Sequence, residues 1–209
     1  MTCDIRLIKK EEHKTSFWSG GTTTQLLIYP KDAEYSDRNF KWRISSAKVD
    51  VEESLFTFLP GIKRILMVLD GNLTLAHEGH HCVNLKKFQQ DSFNGDWTTR
   101  SFGKVTDFNL MMTEECEGNL KVFSVGDEST EKIVFLENPF KDEFQRFTIA
   151  LYCSFGSSEV SIQGGKEFNF NEGDLIEITG CKGDVSPCLK FNSVGKNQCD
   201  IVKVVIGYE

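Results

Sequence analysis

Two arginines and a set of alternating polar residues give this sequence the chemistry to capture a small anion. Arg43 and Ser45 are two residues apart, and Asp107 and Asn109 repeat that spacing. Residues two apart on a β-strand face the same side, while the neighbouring Trp42 faces the other side. An inward-facing Arg43 would offer its planar fork to a carboxylate. An outward-facing Arg43 would pair with a surface acid, and the spacing leaves both orientations open.

The alternation of Asp107 and Asn109 with Phe108 and Leu110 places the two polar residues on one face of a strand. Turned inward, that face would supply hydrogen-bonding groups to an amide or imine ligand. Turned outward, it would simply be hydrated. Both orientations fit the pattern.

Arg64 stands just before the apolar run Ile65–Leu69, which ends in Asp70-Gly71 and is typical of a strand entering a tight hairpin. In metal-binding cupins, the similar strand and the turn before it carry two histidines and a glutamate that hold a metal. Aligned on this hairpin, those positions fall near Thr57, Leu59 and Arg64. The resemblance therefore implies no metal cofactor and an anion site instead. Because a buried guanidinium is costly without an anion, we expect Arg64 to meet either a ligand or a fixed acid such as Asp107 or Asp96.

His77, His80 and His81 form the one cluster of histidines in the sequence. Three nearby imidazoles could bind zinc or nickel. Glu78-Gly79 between them is typical of a hairpin turn, so we expect an exposed tip without a closed metal site.

Composition excludes several classes of partner. The chain has 209 residues and a net charge of −7, so it has no basic surplus for nucleic acid or an anionic membrane. No apolar run approaches the roughly 18 residues of a membrane span. The first residues lack the apolar stretch of a signal peptide, and the seven cysteines are scattered. We expect a cytoplasmic protein with reduced thiols.

Short strand-like runs separated by glycine-containing turns predict an all-β fold. The two halves share a coarse pattern of strand, hairpin and strand, which predicts a duplicated cupin, or bicupin, of two jelly-roll β-barrels. We assign residues 1–125 to an N-terminal cupin barrel and 126–209 to a C-terminal cupin-like barrel. The one short helix that we expect runs from Asn138 to Arg146.

Three segments together resemble the HutD/Ves family of bicupins. They are Phe17–Pro30, Phe40–Arg64 and Phe93–Met111, which contain Trp-Arg-x-Ser, Phe-x-Gly-Asp and Asp-Phe-Asn-x-Met in this order. The resemblance covers about the first 112 residues well and the rest in outline. Where the family has Asn-Gly-Gly-Gly, this chain has Trp18-Ser19-Gly20-Gly21, and Lys63 replaces the family's acidic residue before Arg64.

The resemblance implies a non-metal protein that binds a small anionic metabolite, such as formiminoglutamate, and modulates histidine catabolism. The implied ligand-binding residues are Trp42, Arg43, Ser45, Arg64, Asp107 and Asn109. The alternative is a metal-independent isomerase or hydrolase that acts on a small organic acid. Since the core segments offer Asp107 and Asp96 but no histidine as a general acid or base, we favour binding over catalysis. A scaffold with a vestigial pocket and assembly as a homodimer are left open.

Overall fold

The computed structural model describes residues 3–126, 131–135, 140, 143–162, 165–185, 187–193 and 198–209. These residues form nineteen β-strands and two short 3-10 helices, Lys10–Glu12 and Tyr35–Asp37. The prediction of an all-β fold is confirmed. No helix in the described ranges has the length and apolar character needed to cross a membrane.

The strands are numbered in chain order. The first eleven are β1 (Asp4–Ile8), β2 (Lys14–Trp18), β3 (Gly21–Tyr29), β4 (Trp42–Val49), β5 (Glu53–Leu55), β6 (Ile62–Gly71), β7 (Leu73–His77), β8 (Cys82–Leu85), β9 (Gln90–Asn94), β10 (Thr99–Phe102) and β11 (Val105–Thr113). The others are β12 (Glu117–Val125), β13 (Glu131–Phe135), β14 (Arg146–Phe155), β15 (Ser157–Ile162), β16 (Lys166–Asn171), β17 (Leu175–Cys181), β18 (Cys188–Ser193) and β19 (Cys199–Tyr208).

The chain divides into two compact units, one of residues 13–116 and the other of residues 1–12 with 117–209. This division falls nine residues before the boundary expected after residue 125, and it assigns β1 to the C-terminal unit. The physical reason is strand pairing, because β1 pairs with β17 and β12 pairs with β19. Of the helix expected over Asn138–Arg146, residues 138, 139, 141 and 142 lie outside the described residues, the described positions 140 and 143–145 are not helical, and Arg146 begins β14.

The unit of residues 13–116 contains two antiparallel sheets. One has the strand order β2-β3-β4-β11-β6-β9, and the other has the order β5-β10-β7-β8. An apolar core joins residues of both sheets, among them Leu66 and Val68 of β6 and Leu73 and Leu75 of β7. The hairpin expected at Asp70-Gly71 is not formed, because β6 and β7 belong to different sheets and do not pair. The chain instead crosses between the sheets after Gly71, where φ is 87° and a Cβ would lie 2.7 Å from a backbone oxygen, so glycine is required at this position.

The second unit also contains two antiparallel sheets, with the orders β1-β17-β14-β19-β12 and β13-β18-β15-β16. Its core is aliphatic and aromatic, with Ile149, Ile178, Phe170 and Phe191 fully buried. Strands β14, β17 and β19 are buried over most of their length, which is expected for central strands of a sheet that is covered on both faces. The repeated two-sheet arrangement agrees with the pattern that the two halves of the sequence share.

A matched pair of leucine substitutions tests this packing. Leu66 is fully buried on β6, whereas Leu55 at the end of β5 is 61% exposed. We expect Leu66→Ala to lower the free energy of unfolding by about 2–5 kcal/mol, because it removes buried methyl groups and leaves a cavity. Leu55→Ala should change it by less than about 1 kcal/mol. Equal losses in denaturant unfolding of the two variants would contradict the described core.

Candidate functional site

The candidate residues are aligned across the three central strands of the larger sheet in the unit of residues 13–116. β11 pairs with β4 on one side and with β6 on the other. Residues that pair directly share a face of the sheet. The inner face therefore carries three rows, Arg43–Met111–Arg64, Ser45–Asn109–Leu66 and Ala47–Asp107–Val68. This face also carries Leu66 and Val68 of the apolar core, so Arg43 and Arg64 point inward.

Trp42 lies on the opposite face of β4, as its position next to Arg43 requires. It is 1% exposed and stacks on Tyr29, with the ring centroids 5.7 Å apart. It does not line the cavity described below. The geometry thus brings together five of the six predicted ligand-binding residues and leaves Trp42 apart from them.

A cavity of about 330 Å³ covers this polar part of the inner face. Arg43, Ser45, Arg64, Asp107 and Asn109 all line it. Its other walls come from β2 and β3, from Tyr35 of the second 3-10 helix, and from the segment after β5. The residues of these walls include Trp18, Thr23, Tyr35, Leu55, Phe56 and Thr57. The volume is that of a small-molecule site.

Arg64 is the most unusual group in the cavity. It is 6% exposed, and its Nε is buried with no hydrogen-bond partner among the described residues. Its guanidinium lies over the rings of Phe56 and Phe93, at 4.6 and 5.1 Å from the centroids. Burial lowers the pKa of Arg64 to about 10, so it remains protonated at neutral pH. Arg64 is thus a buried cation held by aromatic faces.

Arg43 is held in place by its neighbours. Its Nε donates to Oε1 of Gln25 at 2.9 Å, and its Nη1 donates to Oγ of Ser45 at 3.1 Å. The guanidinium also lies 4.4 Å from the centre of the Tyr35 ring. Burial lowers the pKa of this group as well. These partners are neutral, so they orient the positive charge without cancelling it.

Neither guanidinium forms an ion pair with an acid among the residues that the structure describes. The ion pairs found in the described part of this unit join other residues, such as Arg100 with Glu53 and Lys41 with Glu115. The fixed acid expected as one partner of Arg64, either Asp107 or Asp96, does not bond to it within those residues. The cavity therefore holds two buried positive charges with neutral partners.

Asp107 and Asn109 supply acceptors to the same cavity. They are 5% and 6% exposed, and the Oδ1 atom of each is buried with no hydrogen-bond partner in the described ranges. Burial raises the pKa of Asp107 to about 7, while the charge of Arg64 acts in the opposite direction. A bulge in the β6–β11 pairing lies beside Asp107, between Thr106 and Asp107. Bulges of this kind redirect side chains and are frequent next to functional sites.

The donor set of this cavity does not fit a metal cation. Of the positions where metal-binding cupins carry ligands, Thr57 and Arg64 line the cavity, and Leu59 lies in an apolar cluster with Ala33 and Phe40. Two guanidiniums would repel a divalent ion. The unpartnered donor of Arg64 and the unpartnered acceptors of Asp107 and Asn109 instead match a ligand with a carboxylate and an N–H or O–H group.

The histidine cluster differs from its prediction as an exposed hairpin tip. His77 is 3% exposed, and its two ring nitrogens lie 2.8 Å from Oγ1 of Thr99 and 2.9 Å from Oδ2 of Asp91. His81 approaches the same Asp91 oxygen at 3.0 Å, while His80 stacks on Trp97. The expectation of a hairpin holds, but the side chain of His77 turns into the protein because it is the inward residue at the end of β7.

Sequence reasoning missed Gln25, Tyr35 and Phe56 as parts of the site. Gln25 could have been found from strand alternation, since Thr23 and Gln25 share a face of β3 and Gln25 pairs with Ser45. Tyr35 and Phe56 lie outside the strands, and their approach to the arginines depends on tertiary structure. No local pattern marks them.

The fold has close counterparts among solved structures. A conserved protein of unknown function from Pseudomonas aeruginosa PAO1 has a TM-score of 0.78 and 20% identity, covering 98% of this chain and 99% of its own. HutD from Pseudomonas fluorescens SBW25 has a TM-score of 0.64 and 19% identity, covering 96% of this chain and 98% of its own.

A vicilin from Solanum melongena has a TM-score of 0.62 and 11% identity over 97% of this chain and 85% of its own. Vicilins are cupins, so the predicted cupin jelly-roll fold is confirmed. The comparison with curated proteins gave no match.

Family membership follows from the sequence itself. The model of the HutD family matches residues 10–198, which include the whole unit of residues 13–116 with every residue of the cavity and most of the other unit. This match agrees with the resemblance carried by the Trp-Arg-x-Ser and Asp-Phe-Asn-x-Met motifs, whose residues lie on β4 and β11. The chain belongs to the HutD family, which links it to histidine utilisation.

Proposed function

We propose that this protein binds a small carboxylate in the cavity of the unit of residues 13–116 and thereby modulates histidine catabolism. The observation that carries the proposal is the buried Arg64, which lines the cavity and whose Nε has no hydrogen-bond partner among the described residues. A buried donor without a partner costs free energy, and more so when it is charged. A bound carboxylate removes that cost by accepting the missing bond.

Arg43 and Arg64 flank Met111 in one row of the sheet, so their guanidiniums converge on the same cavity. Gln25 and Ser45 hold two donors of Arg43, and the planar group is therefore oriented before a ligand arrives. Preorganised forks of this kind bind carboxylates in two parallel hydrogen bonds. The site suits one carboxylate between the arginines or two carboxylates of one ligand.

The opposite side of the ligand would face Asp107 and Asn109. Their buried Oδ1 atoms are acceptors, so they would accept hydrogen bonds from N–H or O–H groups of the ligand. Formiminoglutamate combines both requirements, since it carries two carboxylates and a formimino group with N–H donors. A ligand of this type satisfies the arginines at one end and the acceptors at the other.

Two relatives guide the choice of probes. The P. fluorescens HutD structure is described for a formate condition, and the S. melongena vicilin is described as having different anionic ligands in structurally similar pockets. At 19% and 11% identity these relatives support the fold alone. Formate and glutamate are therefore sensible smaller probes beside formiminoglutamate and urocanate.

The alternative function is a metal-independent isomerase or hydrolase that acts on the same acid. One observation favours it, because a buried carboxyl with a pKa of about 7 is suited to general acid–base catalysis. The residues described around the cavity include no histidine, cysteine or lysine that could share the chemistry. Asp107 alone would have to move the proton, so binding remains the leading proposal.

Replacement of Arg64 tests the carboxylate site. We expect Arg64→Met to weaken formiminoglutamate binding by at least about 1.5 kcal/mol, roughly tenfold, because a charged hydrogen bond is lost. Arg64→Lys keeps the charge but loses the fork, so it should also weaken binding. Isothermal titration calorimetry at neutral pH gives the affinities directly.

The matched control for Arg64 is Arg38→Asn. Arg38 is exposed, and asparagine tolerates its φ of 55°. The affinity of this variant should equal that of the unmodified protein. Equal affinity of Arg64→Met and the unmodified protein would remove Arg64 from the site and contradict the proposal.

The buried carboxyl of Asp107 should make the free energy of unfolding depend on pH. Its folded pKa of about 7 lies above the ordinary value of an aspartate, so the folded state binds more protons than the unfolded state between pH 4 and 7. The free energy of unfolding should therefore fall as the pH rises through this range, by up to about 1.4 kcal/mol per pH unit from this group.

Asp107→Asn should remove that contribution. We expect the variant to gain stability relative to the unmodified protein as the pH rises from 5 to 8, in urea unfolding monitored at several pH values. Asp96→Asn serves as the control, because Asp96 does not line the cavity. Parallel pH profiles of the Asp107→Asn variant and the unmodified protein would show that the pKa of Asp107 is not raised, and would contradict the prediction.

The same variant separates binding from catalysis. An enzyme that uses Asp107 as its acid or base should convert formiminoglutamate, and Asp107→Asn should abolish that conversion while binding persists. If the protein only binds formiminoglutamate, both the unmodified protein and the Asp107→Asn variant should leave it unchanged after long incubation. Nuclear magnetic resonance of the ligand distinguishes the two results.

A further inference from the structure

A second group of polar side chains in the unit of residues 13–116 converges on one point, apart from the carboxylate cavity. His77 ends β7, His81 precedes β8, and Asp91 lies on β9 in the other sheet. Their ligand atoms all lie within 4.8 Å of one another. We propose that His77, His81 and Asp91 form a binding site for a divalent transition-metal ion, with Zn²⁺ as the best-fitting ion.

The distances fit an ion at the centre of the three side chains. Nε2 of His77 and Nε2 of His81 lie 2.9 and 3.0 Å from the same Asp91 oxygen. Ligands at the usual bond lengths of about 2.0–2.2 Å in a tetrahedral zinc site are about 3.3 Å apart. A shift of a few tenths of an ångström therefore makes room for the ion. The side chain of His81 is 41% exposed, so it has space to move.

Thr99 orients the ring of His77 from the side opposite the site. Its Oγ1 lies 2.8 Å from Nδ1 of His77, and it also contacts the backbone oxygen of Trp97 at 3.4 Å. With Asp91 accepting from Nε2–H, the Thr99 hydroxyl donates to Nδ1. With Nε2 free to bind a metal, the ring would carry its proton on Nδ1, and the Thr99 hydroxyl could accept a hydrogen bond from Nδ1–H while donating to the backbone oxygen of Trp97. Such an outer hydrogen bond is usual for metal-bound histidine.

The chemistry of the cluster also suits a metal, since imidazole nitrogens and a carboxylate oxygen are common ligands of divalent transition-metal ions. The other titratable groups lining the adjoining cavity are Glu78, His80, Cys82 and Arg100, and Arg100 is already paired with Glu53.

The space beside His77 and His81 leaves room for a fourth ligand on the metal ion. A cavity of about 610 Å³ borders His77 and His81 and is lined by the 76–82 segment with Thr98 and Arg100. Three protein ligands beside an accessible space leave the fourth position for water or a small ligand. Two imidazoles and one carboxylate also accept Co²⁺, Ni²⁺ and Cu²⁺.

The proposal is tested with the full chain after removal of metals by a chelator. We expect one equivalent of Zn²⁺ to bind in calorimetry at pH 7.5. His81→Ala and Asp91→Asn should each lower that affinity at least tenfold. His81 is partly exposed, so its substitution leaves the core intact, which circular dichroism checks.

Two variants serve as controls. His13→Ala removes a histidine that lies outside the cluster, and Cys82→Ser removes an exposed thiol beside His81. Both should bind Zn²⁺ as the unmodified protein does. Absence of Zn²⁺ binding, unchanged affinity in His81→Ala and Asp91→Asn, or loss of binding in Cys82→Ser alone would each overturn the proposal.

Trp97 supplies an independent readout. Its ring centroid lies 5.6 Å from that of His77 and 5.8 Å from that of His81. Cu²⁺ bound at the site should quench Trp97 fluorescence, and the quenching should disappear in Trp97→Phe and in His81→Ala. Quenching that persists unchanged in both variants would place the ion elsewhere and contradict the site.

Discussion

The candidate site depends on one charged side chain, because Arg64 is buried without an ion-pair partner among the described residues. Removing a charge from water costs several kcal/mol even after the surroundings relax. The faces of Phe56 and Phe93 recover part of that cost, about 0.5–2 kcal/mol for each cation–π contact. The charge of Asp107 also favours the protonated form of Arg64, although no ion pair joins the two among the described residues. On the proposed function, a bound carboxylate would supply the compensation that these neighbours do not.

The register of the strands places the other polar residues of the site on the same face of the sheet as Arg64. Arg64 pairs with Met111, and Met111 pairs with Arg43, so the two arginines share a face two strands apart. The same register places Asn109 and Asp107 on that face at successive positions. A slip of one residue would turn all of these side chains to the opposite face. Apolar core residues, such as Leu66 and Val68 on β6, fix the register because they must also point inward.

Much of the site could be predicted because strand alternation is a local property. The spacing of Arg43 with Ser45 and of Asp107 with Asn109 predicted which residues share a face, and the shared face is the inner one. Trp42 was included by family resemblance, although alternation already placed it on the other side. The edge strand β2 gave no signal, because all five of its residues are exposed. His77 was misplaced because the Glu78-Gly79 turn was given more weight than strand alternation, which places His77 on the buried face of β7 with Leu73 and Leu75.

The absence of an Arg64–Asp107 ion pair in the described residues is itself informative. Ionised Asp107 would neutralise Arg64 and lower the cost of burial, yet the carboxyl is so poorly hydrated that its pKa rises to about 7. Near neutral pH the cavity therefore keeps a net positive charge and attracts anions. Complete ionisation of Asp107 would weaken that attraction. On the proposed function, burial of Asp107 would leave the charge of Arg64 available to a ligand at the expense of stability in the unliganded protein, and a bound ligand would restore that stability by mass action.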